Sequence, residues 1–446
     1  MSTDKQGNRL SGATPEAAGL FDQAVEAFNL YRGDPLDLLE RAIAAAPELT
    51  MAHVFKAHIY ALATEPRAAA AAKAAIEQAK TLPRSAREAS HLAAVDLVLA
   101  GHWTRAARAL DYHNILYPRD LVALQCGHLV DFYRADARSL RDRIARVLPM
   151  WPADLPGASI LLGMHAFGLE ECGDYARAED TGRRALAIEP LDCWAHHAVA
   201  HVMEMQGRAE DGLGWMIARE LYWSGDDNFF KVHNWWHRAL YHLALGQNEE
   251  ALALYDGPVR EQRSAVALDL VDASALLWRL HLLGQETGER WRELADAWDA
   301  HADGVTYAFN DWHAAMSYLG AGRERDVERL LAAYRTSPPE DREAARWARE
   351  TGQPLIEGFA AFWRGDYEAA AERLYGARSI ASGFGGSHAQ RDVVDWTLAE
   401  AAVRGGLTRL AAALANERLA RKPRSRVDLG FLARAGKDLT NDREAA

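Results

Sequence analysis

Apolar positions along the chain recur with a helical period, in stretches of about three turns that end in a small or turn-forming residue and then resume. The clearest unit runs from Gly163-Met164 to Cys172, turns at Gly173-Asp174-Tyr175, continues over Ala176 to Ile188 and stops before Pro190. Gly365-Asp366-Tyr367 followed by Glu368-Ala369-Ala370 repeats that grammar, as does Gly246-Gln247-Asn248 followed by Glu249-Glu250-Ala251-Leu252. Turns of this kind are expected near Thr64, Gly101, Asp136, Gly173, Gly207, Gly246, Gly284, Gly322, Gly365 and Gly405. Their spacing, roughly 34 to 43 residues, is that of two-helix repeats. Glycine suits such a turn because it reaches positive φ cheaply where a helix ends. Sustained period-two alternation and Asn-Gly hairpins are absent, so strands are not expected.

The pattern therefore predicts an all-α, right-handed superhelical solenoid of tetratricopeptide-like helix-turn-helix repeats, about ten helix pairs, each burying its apolar stripe against a neighbour. The Pro-containing breaks at Trp151-Pro152 to Pro156 and at Ser337-Pro338-Pro339 read as long loops between repeats, because the period resumes beyond each. Residues 1–15 are expected to be disordered, 16–420 to form one array, and 421–446 to be a partly disordered tail. Composition agrees: Ala, Leu, Arg and Glu, all good helix formers, dominate.

Charge narrows the function. A formal net charge of -12 argues against a nucleic-acid surface, and the basic cluster Arg418 to Arg426, with Lys422 and Arg424, reads as a solvated tail. Cys126, Cys172 and Cys193 are far apart, which suits a reducing compartment, and no signal peptide or membrane-spanning stretch is visible; a cytoplasmic chain is expected.

The unusual chemistry lies upstream of the turns, on the first helix of each pair. His53, His58, His91, His128, His165, His197, His201, His233, His237, Asp269, Asp272, Asp311 and His313 all fall in a band two to three helical turns ahead of a turn. His197 and His201 are four residues apart, as are His233 and His237, and such pairs share a helix face. Two pairs on neighbouring first helices would present four imidazoles to one point, a candidate site for Zn²⁺, Fe²⁺ or Mn²⁺ with Asp272 or Glu204 as a carboxylate ligand or base. The metalloprotease pattern is not met, since Ala198 follows His197. Without a metal, a His–Asp pair would serve as general base, and the same side chains are also compatible with a hydrogen-bonded core. Trp194, Trp235 and Trp236 read as core. Ser387 is expected to cap the helix that follows it, with Arg391 beside it as a clamp for a carboxylate or phosphate.

Taken together these segments resemble the tetratricopeptide repeat protein 38 family. The likeness runs through Arg87-Glu88 with His91, Gly163-Met164 with Phe167-Gly168-Leu169, Trp194 with His197, His201 and Glu204-Met205, His233-Asn234, Trp236-His237, Val271-Asp272, Asn310-Asp311 with His313, and Gly385-Gly386-Ser387 with Ala389-Gln390-Arg391-Asp392-Val393. It spans about residues 40 to 410 and implies the repeat fold; it implies no particular chemistry. His165 and His196 fall outside its pattern and are read as structural.

The expectation is an enzyme acting on a small acidic molecule in a His/Asp-lined concave pocket, a metal-assisted or His–Asp hydrolase. Its catalytic set would be His197, His201, Glu204, His237, Asp272, Asp311 and His313. Substrate would be held by His91, His128, Asn234, Asn310, Gln390 and Arg391, and the metal by His197, His201, His233 and His237. The alternative is a non-catalytic scaffold docking a protein or peptide in the same groove, with self-association left open.

Overall fold

The structure, a computed structural model, describes residues 2–336 and 342–444, with the side chains of 437–444 excepted. The expected loop at Ser337-Pro338-Pro339 lies outside the described residues. The chain is all-α, and among the described residues extended pairing is limited to the isolated bridges Thr3–Arg9 and Arg32–Asn228. No described helix is long and apolar enough to cross a membrane.

The hairpins turn where left-handed backbone is cheapest. Residues with positive φ occur at Thr64, Gly101, Ala135, Gly173, Gly207, Gly246, Gly284, Gly322, Gly365 and Gly406, each within one residue of an expected turn. Gly173 shows how they close: its N–H reaches the Glu170 carbonyl at 2.7 Å while Asp174 N–H reaches back five residues to Leu169 at 2.9 Å. The same five-residue closure recurs at His102, Arg208, Gln247, Gln285, Arg323, Asp366 and Leu407. One further hairpin, Pro15–Leu30 with Pro35–Ala45, precedes these and turns through Tyr31, itself left-handed. Residues 2–14, expected to be disordered, close a turn in which Asp4 accepts from Gln6 and Asn8 backbone N–H groups.

First and second helices differ in burial. In Leu121–Tyr133 nearly every residue is buried, and the same holds for Ala267–Leu282 and Ala308–Gly320. Glu324–Thr336 by contrast buries one stripe, Val327, Leu330, Leu331 and Tyr334. The first helices are thus sandwiched, and their polar side chains are interior groups rather than the lining of an open groove. Gly168 permits one such sandwich, because a Cβ there would stand 2.5 Å from the Arg141 backbone nitrogen on the preceding hairpin.

Contacts gather into two compact units. The first holds residues 2–199, 221–231 and 342–344; the second holds 200–220, 232–336 and 345–444, the boundary falling inside the helix Cys193–Met205. In the first unit Phe28 and Phe21 pack edge-on against Phe55. In the second, Trp278 packs on Phe359 and donates its indole N–H to Thr397, while Trp298 donates to Ser274.

Candidate metal centre in the second unit

The helix Lys231–Ala244 places His233 and His237 one turn apart on one side, so their rings meet. His233 Nε2 and His237 Nε2 are 3.2 Å apart. On its other side His233 Nδ1 lies 2.7 Å from Asp272 Oδ2, on the neighbouring first helix Ala267–Leu282. A carboxylate oxygen only accepts, so Nδ1 carries the proton and the His233 lone pair sits on Nε2. His201 completes the group, its ring centroid 4.6 Å from that of His237. His201, His233 and His237 each offer a ring nitrogen within 4.8 Å of the others. Trp236 stacks on His233 at 5.2 Å, closing the apolar side. Asn234, one turn before His237 and fully buried, has neither amide atom hydrogen-bonded among the described residues.

The His233–His237 spacing suits a tetrahedral cation. A Zn–N bond of about 2.0 Å puts two ligand nitrogens about 3.3 Å apart, and an acceptor behind the ligating imidazole is the usual support for such a ligand. Three imidazoles with one oriented by Asp272 match Zn²⁺ and other borderline divalent ions.

The remaining expected residues divide. Glu204 is bound by Lys422 Nζ at 2.8 Å. Asp311 and His313, two residues apart, point to opposite sides of their helix. Asp311 accepts from Gly304 N–H and Tyr334 OH, and burial raises its pKa to about 7. His313 Nδ1 donates to the Phe309 carbonyl at 2.8 Å, its Nε2 has no hydrogen-bond partner, and burial lowers its pKa to about 3. Asn310 is buried on the same helix. Ser387 caps its helix as expected, and Gln390, expected to hold substrate, is its partner in a capping box. Arg391 gives its Nη1 to the carbonyls of Gly385 and Gly386, tying down the loop ahead of that cap.

In the first unit, His197 packs its ring on Phe167 and Phe230. His91 belongs to a sealed charge network. Its Nε2 is 2.9 Å from Asp120 Oδ2, which also meets His113 Nε2 at 3.1 Å and Arg87 Nη1 at 2.5 Å, while His58 Nε2 faces His91 Nδ1 at 3.1 Å. The cation on Asp120 is already Arg87, which disfavours a second one there. His128 is fully buried against Trp194 and Phe167 with neither ring nitrogen hydrogen-bonded among the described residues, and burial lowers its pKa to about 3. Sequence reasoning missed Asp120, Arg87 and His113 as one unit, because Asp120 reads locally as a helix N-cap, a role it also fills toward Ala123. The basic run near the C-terminus is no solvated tail at its start: Arg418 is buried between Asp392 and Asp428.

No family model matches the chain. Among solved structures it is similar to a chain of the "Crystal structure of APC/C hetero-tetramer Cut9-Hcn1", with 15% identity over 94% of this chain and 76% of that one and a TM-score of 0.43.

Proposed function

We propose that this is a helical-repeat binding protein whose second unit holds a divalent transition metal on His201, His233 and His237. The observation that carries the reading is the His237–His233–Asp272 relay, a ligand pair at tetrahedral spacing with a carboxylate behind it. Hydrolysis is less well supported than binding. Two carboxylates of the expected catalytic set, Glu204 and Asp311, are held by Lys422 and by Tyr334 with Gly304, and Asp272 orients His233. Membership of the tetratricopeptide repeat protein 38 family is part of the same proposal, resting on the motif run given above.

Elemental analysis of untagged protein tests it. About one transition-metal ion per chain is expected, lost in His237→Ala with the helical signal intact. Asp272→Asn should weaken affinity by about ten- to a hundredfold. Metal-free wild type that takes up no Zn²⁺ or Co²⁺ on titration would defeat the reading.

A second reading, docking of a protein, is favoured by one observation. Tyr112, Ile115 and Leu116 stand 64%, 56% and 54% exposed at helical spacing on Trp103–Leu116, and Met150 and Ile188 are exposed where the next two hairpins end. If this face joins two copies, sedimentation should show a wild-type oligomer that Ile115→Glu dissociates; a monomer at all concentrations removes self-association.

A further inference from the structure

The second unit holds a basic cavity that the metal reading does not use. It is about 70 Å³ in volume and lies under the loop Lys422 to Arg426, between the helix ends Glu204–Gly207 and Leu240–Leu245. Space near the Gly207 turn is tight: a Cβ there would meet Lys422 Cβ at 3.2 Å. Water needs about 10–15 Å³ on this scale, so the cavity has room for one carboxylate or phosphate group.

Its wall contains Arg279, buried in the last turn of Ala267–Leu282. The guanidinium donates Nη1 to the Ala275 carbonyl at 3.1 Å and Nη2 to the Ala389 carbonyl at 2.9 Å, and stands over the rings of Trp236 and Trp396 at 5.6 and 5.8 Å. Among the described residues it has no carboxylate partner. A buried cation with no carboxylate in direct contact is costly, and here Asp392, Glu204 and Asp272 offset that cost only from beyond ion-pair distance. Burial lowers the Arg279 pKa only to about 10, so it stays charged at neutral pH. Beside it the indole N–H of Trp396, a second wall residue, has no acceptor among the described residues.

The other wall charges do not cancel it. Glu204 is paired with Lys422, and Asp392 and Asp428 share the single cation of Arg418. The wall as a whole carries five cations against four carboxylates, and Arg424, Arg426 and Glu210 are exposed and without an ion-pair partner among the described residues. The Arg426–Glu444 helix also opens here, its first turn capped by Ser425.

We propose that this cavity binds a small oxyanion, a carboxylate or phosphate group held by Arg279 from inside and by Arg424 and Arg426 from the rim. The planar fork of Arg279, with three N–H groups unused, is the anchor. The site is independent of the histidines, and its test needs no metal.

Calorimetric titration of the full chain with inorganic phosphate and with malonate, at ionic strength matched by sodium chloride, decides it. One of the two anions should bind at one site per chain and raise the melting temperature. A preference for phosphate marks a phosphate-bearing ligand, and a preference for malonate a carboxylate. Arg279→Met should abolish binding. The double variant Arg424→Ala with Arg426→Ala, both at exposed positions, should keep the wild-type melting temperature without ligand and lose at least tenfold in affinity. If neither anion binds beyond chloride, or if the double variant binds as wild type does, the proposal fails; the double variant decides even where Arg279→Met does not fold.

Discussion

With its proton fixed on Nδ1 by Asp272, His233 directs its only lone pair toward His237, and that one hydrogen bond separates a candidate ligand from an ordinary core histidine. Asp311 shows the opposite outcome for a side chain from the same sequence band. It is sealed against Tyr334 and Gly304, and its pKa is raised to about 7 by burial. A carboxyl whose folded pKa lies above its unfolded value of about 3.9 binds protons preferentially in the native state between those values. Its ionisation therefore costs stability above pH 7, and that cost fades as pH falls toward 4. Asp311→Asn should accordingly melt higher than wild type at pH 8, with the difference shrinking by pH 5 in thermal scans. A uniform loss of stability at both values would show that the charge itself is needed. The i, i+4 histidine pairs were readable because that spacing alone fixes a shared face. Arg279 was not, since within Ala275-Leu276-Leu277-Trp278-Arg279-Leu280 nothing local distinguishes a buried guanidinium from one reaching solvent. Arg391, the expected clamp, holds its own loop instead.

Each hairpin is set by its turn, and a turn needs one residue in left-handed backbone, which is why the glycines marked nearly all of them in advance. The exceptions are informative. Thr64, Ala135 and Tyr31 adopt φ of 58°, 47° and 55° without being glycine. The Pro15–Leu30 hairpin closes at Tyr31, ahead of Gly33-Asp34-Pro35, whose Gly33 also has positive φ and marks the turn in the sequence. Left-handed backbone costs an L-residue about 1–2 kcal/mol, part of which glycine returns as lost chain entropy. Ala135→Gly should therefore stabilise the chain by about 0.5–1 kcal/mol in denaturant unfolding, whereas a destabilised variant would mean that the methyl group packs. Packing between elements was less legible than their ends: the pattern located first and second helices, but only the structure shows the first helices covered on both sides.

For the whole chain, covering the first helices turns a band expected to line an open groove into interior polar chemistry, divided between two compact units. In the first unit that chemistry is closed on itself around Asp120; in the second it includes a histidine trio and a buried arginine without a carboxylate partner among the described residues. Composition carries no trace of this difference, because the same residue types at the same helical spacing serve both. What separates them is which neighbour answers each charge, a property of tertiary packing. The most direct measurement is an anomalous-difference map collected at the zinc edge from crystals of untagged protein grown with Zn²⁺. A single strong peak within about 2.0–2.1 Å of ring nitrogens of His201, His233 and His237, with the His233–Asp272 bond retained, is the predicted result. A map with no peak among these rings, the ring nitrogens of His233 and His237 still in direct contact, would contradict the account.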